Sequence, residues 1–418
     1  MRMKSSEVKA EDTMKLVHGH LPIDAPAGVQ GWDIDPYAPE VQIDPKWYYT
    51  QLRERGPFSY LSQYSMLVCG RYDVVREVFS DHERFVSSRG VGVQDFVLEK
   101  PWRPHSIILE VDPPYHNRTR RVLMRALSPK VVADLREYFL DEARDLVSDL
   151  VKQREFEAVE ALAETYPTRV FPKAVGMKQS DRRKLVDHGS MVFNALGPDN
   201  AQRQAAMAMG PEIIPWVMEQ CKRENLTNDG IGAAIYASAD EDLVSEAEAG
   251  MLVRSLLSAG IDTTVTGIGN AVWALSQNPA QFGALWADPS LAMAAFDETM
   301  RLTSPVAAFC RTACVDTEVA GVKIAEGTKI LCVLGAANLD GAKFEDAERF
   351  DITRKTAGHL ALGVGVHMCV GQNIARAEGQ AILTAIAEQV GVIEPAGDAV
   401  WRPNNAMHAL EQLPLRFG

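Results

Sequence analysis

The chain has 418 residues, 46% of them hydrophobic and 24% charged, enough apolar material for a large core around a buried ligand. A formal charge of −13 excludes a general nucleic-acid binder, because phosphate contacts need a basic face. The six cysteines (69, 221, 310, 314, 332 and 369) contain no CxxC pair, and residues 1–20 hold no apolar run of leader or anchor length; a soluble, cytoplasmic protein with reduced thiols and no membrane attachment is expected.

Residues from roughly 30 to 90 combine Trp32, several prolines and short alternating runs such as Ser65–Val68, which predicts a β-rich N-terminal flank. Asp112-Pro113-Pro114 is a helix start, since proline is tolerated in a first turn. Helical patterns prevail from there, broken at Pro129, Pro198, Pro279 and Pro305. Ser245 and Glu248 fit a capping box, opening a helix that runs to about Gln277 before Asn278-Pro279 stops it. At 1.5 Å per residue its 32 residues span roughly 48 Å, the width of a domain. Gly321 and Gly327 separate β-branched runs between Thr317 and Val333, predicting a small antiparallel sheet. The expectation is one mainly α domain over residues 1–418 with small β-sheets, its helical core and cysteine loop filling roughly 110–418.

His359–Gly371 reads His-Leu-Ala-Leu-Gly-Val-Gly-Val-His-Met-Cys-Val-Gly and is the most informative stretch. Gly363 and Gly365 let the backbone pass close under a flat ligand. Gln372–Gln389, rich in Ala, Ile, Leu, Glu and Gln without proline, predicts a helix that places Cys369 at its N-terminus, where free N–H groups favour a thiolate. A thiolate in a glycine loop beneath a planar group is what axial ligation of haem iron requires. The competing interpretation is a buried structural cysteine near a turn.

Glu298 and Arg301 form an E-x-x-R pair one helical turn apart, and Arg349 is a candidate third partner. With the cysteine loop, these residues resemble the cytochromes P450 in order and spacing over nearly the whole chain. The resemblance implies an α-rich triangular prism with haem b between a long central helix and the cysteine loop. It implies Cys369 as iron ligand, with Gly260, Leu362 and Gly363 against the haem. Glu298, Arg301 and Arg349 would lock the scaffold, and His116, Arg120, Arg311 and His359 would hold the propionates. Leu362 stands where the family has phenylalanine, and Asn338-Leu339-Asp340 where it has Asn-Arg-Asp.

Ala259-Gly260-Ile261-Asp262-Thr263-Thr264 resembles the family's oxygen-activating segment, which assigns proton relay to Asp262 and Thr263. The alternative for the threonine is a hydroxyl bonded back to its own helix. Arg254, Ser255 and Ser258 fall near the same stripe, and a cation on a core-crossing helix needs a protein carboxylate or an anionic substrate. These residues and the segment Lys100–Leu109 look like the bacterial P450s that oxidise para-substituted benzoic acids, typified by 4-methoxybenzoate O-demethylases. That likeness implies that Arg103, Ser106, Arg254, Ser255 and Ser258 hold the carboxylate end, and that Leu109, Phe193, Leu196, Val306 and Phe309 line an apolar slot. Leu196 replaces the subgroup's phenylalanine and His105 a proline.

Electrons from NAD(P)H would arrive through a ferredoxin reductase and a small acidic iron–sulfur ferredoxin, docking near Arg118, Arg121, Arg125 and Arg376. Two other classes remain: a haem-based sensor, which needs no proton relay, and a peroxide-driven peroxygenase, which needs no reductase.

Overall fold

The computed structural model describes residues 16–418. Helices dominate from Tyr115 onward, and the breaks fall near Pro129, Pro198, Pro279 and Pro305 as expected. The N-terminal flank departs from expectation. It carries three helices (Pro39–Ile43, Lys46–Glu54, Tyr72–Ser80) beside its short strands. Tyr72–Ser80 buries Val74, Val75, Val78 and Phe79, a helical stripe rather than the period of a strand.

Nor is the flank's sheet its own. Strands Gly31–Trp32, Ser59–Leu61, Met66–Cys69, Lys329–Val333, Ala308–Ala313 and Phe85–Val86 form one six-stranded sheet in that order. Met66–Cys69 runs parallel to Lys329–Val333, with Leu67 opposite Ile330 and Cys69 opposite Cys332. The expected sheet over Thr317–Val333 is therefore divided. Thr317–Val319 and Val322–Ile324 make a separate hairpin, while Lys329–Val333, buried at every residue, belongs to the larger sheet.

Ser245 caps the long helix as expected: its hydroxyl accepts from Glu248 N at 3.2 Å, and the Glu248 carboxylate accepts from Ser245 N at 2.8 Å. The helix is not continuous. It divides into Glu246–Gly260 and Asp262–Gln277 at Ile261, where φ is −101° and ψ −67°. Hydroxyls of Thr263 and Thr264 donate to the carbonyls of Ala259 (2.6 Å) and Gly260 (3.1 Å), an insertion into the ladder that opens a helix locally.

Helix Gln372–Gln389 packs against Pro129–Gln153 and Ala292–Thr303. Gly379 permits the second contact, since a Cβ there would lie 2.4 Å from the Phe296 ring. Among the described residues no helix is long and apolar enough to cross a membrane.

Candidate active site

A cavity of about 380 Å³ lies between helix Glu246–Gly260 and the cysteine loop. Cys369 lines its floor, and none of the other five cysteines reaches it. The loop closes on itself where Cys369 N donates to the Leu362 carbonyl at 2.7 Å. Gly363 and Gly365 take φ of +72° and +73° there, and a Cβ on Gly365 would sit 2.9 Å from Ser80 Cα. Burial pushes the Cys369 thiol up, against the opposing pull of the Gly371 N–H, Arg120 and Arg376. Burial thus opposes the pull of the helix start, and coordination to a metal cation would favour the thiolate.

Around the floor stand donors without a carboxylate partner among the described residues. Both ring nitrogens of His116 are buried without a hydrogen-bond partner among those residues. Arg120 and Arg311 line the cavity, and neither pairs with a carboxylate among the described residues. Arg311 is held by the Cys310 carbonyl at 2.9 Å and by the Phe79 ring, 4.1 Å from its guanidinium carbon. Such a set fits two propionates, whose charge-assisted bonds would satisfy it.

The fourth member is His367, not His359. His367 lines the cavity, with its ring 4.3 Å from that of His116 and Nε2 3.6 Å from Asp112. His359 lies outside the cavity wall, where burial and then the charges of Asp297, Arg376 and Arg301 act on it. The resemblance therefore pointed to the wrong histidine of the loop: the one two residues before Cys369 stands beside His116, and His359 is packed away from it.

Glu298 and Arg301 form the expected pair, both fully buried, at 2.7 Å (Nε–Oε2) and 2.8 Å (Nη2–Oε1). Arg301 also donates to the carbonyls of Asn338 (2.9 Å) and Ala347 (2.7 Å). The third charged partner is Arg354, whose Nε donates to Glu298 Oε1 at 3.1 Å. Arg349 instead points outward, 61% exposed, and pairs with Asp351 at 3.1 Å. Asn338 relays this cluster to the loop by accepting from Leu360 N at 2.6 Å.

Thr263 lines the cavity while its hydroxyl is bonded to Ala259 O. Asp262 does not face the cavity. It is buried on the opposite side, with Oδ1 3.6 Å from Arg402 Nη2, Oδ2 unpartnered and its Cβ against Gly189. Burial raises its carboxyl above the usual range, against Arg402. Gly260 borders the cavity, but the side chain it lacks would strike the Phe171 ring at 2.4 Å. Glycine there admits Phe171.

All ten residues expected at the substrate line the same cavity: Arg103, Ser106, Leu109, Phe193, Leu196, Arg254, Ser255, Ser258, Val306 and Phe309. Phe193 and Leu196 pack with Val91, Ala406 and Met407, and Leu109, Val306 and Phe309 close that apolar cluster. The polar end differs from expectation. Arg103 is bound bidentately by buried Glu110, at 2.8 and 3.0 Å, so its charge is already cancelled. Arg254, 6% exposed, has no carboxylate partner among the described residues; it donates to the carbonyls of Pro104 (3.3 Å) and His105 (3.2 Å). Ser255 and Ser258 spend their protons on Met251 O and Arg254 O, both at 2.9 Å. Ser106 Oγ accepts from Leu109 N at 3.1 Å, which leaves its proton free.

The expected basic face is mostly neutralised. Arg118 pairs with Glu248, Arg125 with Glu241 and Arg376 with Asp297 (2.7 Å); Arg121 is exposed without an ion pair among the described residues. The sequence did not point to His367, Arg354 or Glu110. Only His367, two residues before the cysteine, stood within a motif already marked.

A cavity over a glycine-bound cysteine, ringed by buried cations and roofed by a broken helix, defines a haem–thiolate protein. A profile described as Cytochrome P450 matches residues 290–416. Cytochrome p450 CYP199A2 from Rhodopseudomonas palustris is 47% identical over 94% of this chain and 95% of its own. Cytochrome P450 107B1 from Saccharopolyspora erythraea is 37% identical over 75% of this chain and 78% of its own. Among solved structures, CYP109Q5 from Chondromyces apiculatus superposes with a TM-score of 0.78 at 30% identity, covering 92% of this chain and 98% of that one. Cytochrome P450 CREJ in complex with (4-ethylphenyl) dihydrogen phosphate does so with 0.81 at 25% identity, covering 92% and 99%. The chain belongs to the cytochrome P450 family. It is a monooxygenase that uses haem b on a cysteine thiolate, dioxygen and electrons from redox partners.

Proposed function

We propose that the 418 residues form a single-domain, cytoplasmic monooxygenase of para-substituted aromatic carboxylic acids, which O-demethylates 4-methoxybenzoate to 4-hydroxybenzoate. The observation that carries this reading is Arg254, a buried cation without a carboxylate partner among the described residues, in a cavity whose other wall is the Leu109, Phe193, Leu196, Val306 and Phe309 slot. Arg103 already has Glu110 as its partner and Arg120 and Arg311 stand on the propionate side, so Arg254 is the guanidinium at the polar end that a substrate carboxylate would pair. Arg254 and Ser106 bind the head group, since their donors are the free ones. Support also comes from CREJ, a protein of related fold in complex with (4-ethylphenyl) dihydrogen phosphate, an aryl anion bearing a para-alkyl group.

Cys369 would hold haem b, which when bound would supply the oxidising chemistry. The slot orients the ring with its para methyl toward the Cys369 floor and keeps water from the reacting carbon. Thr263 holds a proton at the cavity wall, and Asp262 behind it takes protons from the Arg402 side. One oxygen atom enters a methyl C–H bond and the other leaves as water, with two electrons and two protons. The hemiacetal then breaks its methylene–oxygen bond to release formaldehyde and the phenol. NAD(P)H electrons reach the protein through a ferredoxin reductase and ferredoxin. Turnover with dioxygen and that pair, against peroxide alone, separates this reading from a peroxygenase or sensor.

A titration tests the substrate. 4-Methoxybenzoate shifts the haem absorption band and yields equimolar formaldehyde and 4-hydroxybenzoate. 4-Methoxybenzamide and methoxybenzene bind on the order of 10²-fold more weakly, because Arg254 keeps no counter-charge. Equal affinity for the neutral analogues defeats the reading.

A further inference from the structure

We propose that His188 is a further ligand for the anionic head group and takes up a proton from solvent as the acid enters. The inference rests on the aromatic-acid reading above. His188, on helix Arg182–Asn194, is 4% exposed and lines the same cavity as Arg254 and Ser106. Its Nδ1 has no hydrogen-bond partner among the described residues, a costly state for a buried ring nitrogen. No role in scaffold or iron binding accounts for it.

Its electrostatic surroundings explain why it waits neutral. Burial, then the positive fields of Arg254 and Arg103, push the ring down to about 4. The other charged groups near this helix are spent elsewhere. Glu110 is tied to Arg103, Asp262 faces Gly189 and Arg402, and Lys184 pairs with Glu212 at 3.2 Å. Arg182 pairs with Glu164 and Arg183 with Asp187, while Arg169 and Lys173 are exposed.

A carboxylate in the cavity cancels the repelling field and accepts a bond from the imidazolium, so two of the causes that shift a pKa favour the charged ring. One proton passes from solvent to the ring, and no other bond is made or broken. The bound state then holds its proton to higher pH than the free state. Affinity is greatest below the bound value and falls as pH rises through it, by at most about tenfold per pH unit. A neutral analogue leaves the field intact and draws no proton.

Isothermal calorimetry of the full-length, haem-loaded protein tests this, with 4-methoxybenzoate in buffers of different ionisation enthalpy. The range of about pH 5.5–8 keeps the ligand's own carboxyl, near 4, ionised. The parent is expected to show net proton uptake that grows as pH falls, with affinity rising several-fold from about pH 7.5 to 5.5. His188→Gln, a neutral donor, binds the acid with no uptake and a flat profile. His188→Phe binds it about tenfold more weakly at the acid end. Binding by the parent without uptake, or equal uptake by His188→Gln, overturns the role of His188 and leaves the aromatic-acid reading standing. Failure of the parent to bind the acid at any pH overturns both.

Discussion

Replacing Arg354 distinguishes the scaffold seen here from the one expected of Arg349. Arg354 is 10% exposed, contacts fully buried Glu298 at 3.1 Å, and donates to the carbonyls of Glu345 (2.5 Å), Asp346 (3.0 Å) and Arg349 (3.1 Å). Removing one partner of a buried pair costs roughly 3–5 kcal/mol. Glu298 retains Arg301 and the Asp351 N–H at 3.1 Å, which places Arg354→Gln near about 3 kcal/mol, the lower end. Arg349→Gln removes only an exposed pair, worth about 0–1 kcal/mol. Urea unfolding of the haem-loaded protein, followed by far-UV dichroism and the haem band together, measures both. Arg354→Gln should lower the midpoint by on the order of 0.5–1 M and release haem at lower urea, while Arg349→Gln stays within error of the parent. Equal losses in the two variants, or a larger loss from Arg349→Gln, would refute the assignment of the third charged partner.

Thr263→Ala should leave acid binding near normal while diverting reducing equivalents to peroxide, and Asp262→Asn, turned away from the cavity, should slow oxygen consumption without changing affinity; NADH-to-product coupling at the parental level in both would move the relay elsewhere. Glu378 is fully buried with neither oxygen partnered, and burial raises its carboxyl well above the ordinary value. The folded state therefore binds its proton more tightly than the unfolded state, so stability is full below the unfolded pKa near about 4.3 and falls as pH rises above it. The stability of Glu378→Gln relative to the parent should grow with pH, by up to about 1.4 kcal/mol per unit, and a difference constant from pH 4.5 to 7.5 would show that Glu378 does not carry this cost.

Features legible in the sequence are those whose physics is local. Gly363 and Gly365 permit positive φ wherever they fall, Ser245 and Glu248 cap within one turn, and Glu298 and Arg301 meet because a helix brings i and i+3 together. The sequence therefore determined the cysteine loop, the helix starts and the ion pair, and the likeness to a known subgroup implied the ten residues that line the cavity. Tertiary packing decided the rest. Arg354 displaces Arg349 because the chain after Phe350 turns back onto Glu298, and His367 displaces His359 because it stands beside His116 while His359 is packed away from it. Glu110 reaches Arg103 only through the covering segment's own turn, where it also accepts from Ser106 N at 2.8 Å. Asp262 and Thr263 are adjacent, yet about 100° per residue around a helix, with the break at Ile261, sends one to Arg402 and the other to the cavity. A charged side chain settles on whatever counter-charge folding brings within reach. Which charges cancel and which one is left for a substrate is a property of the packed molecule.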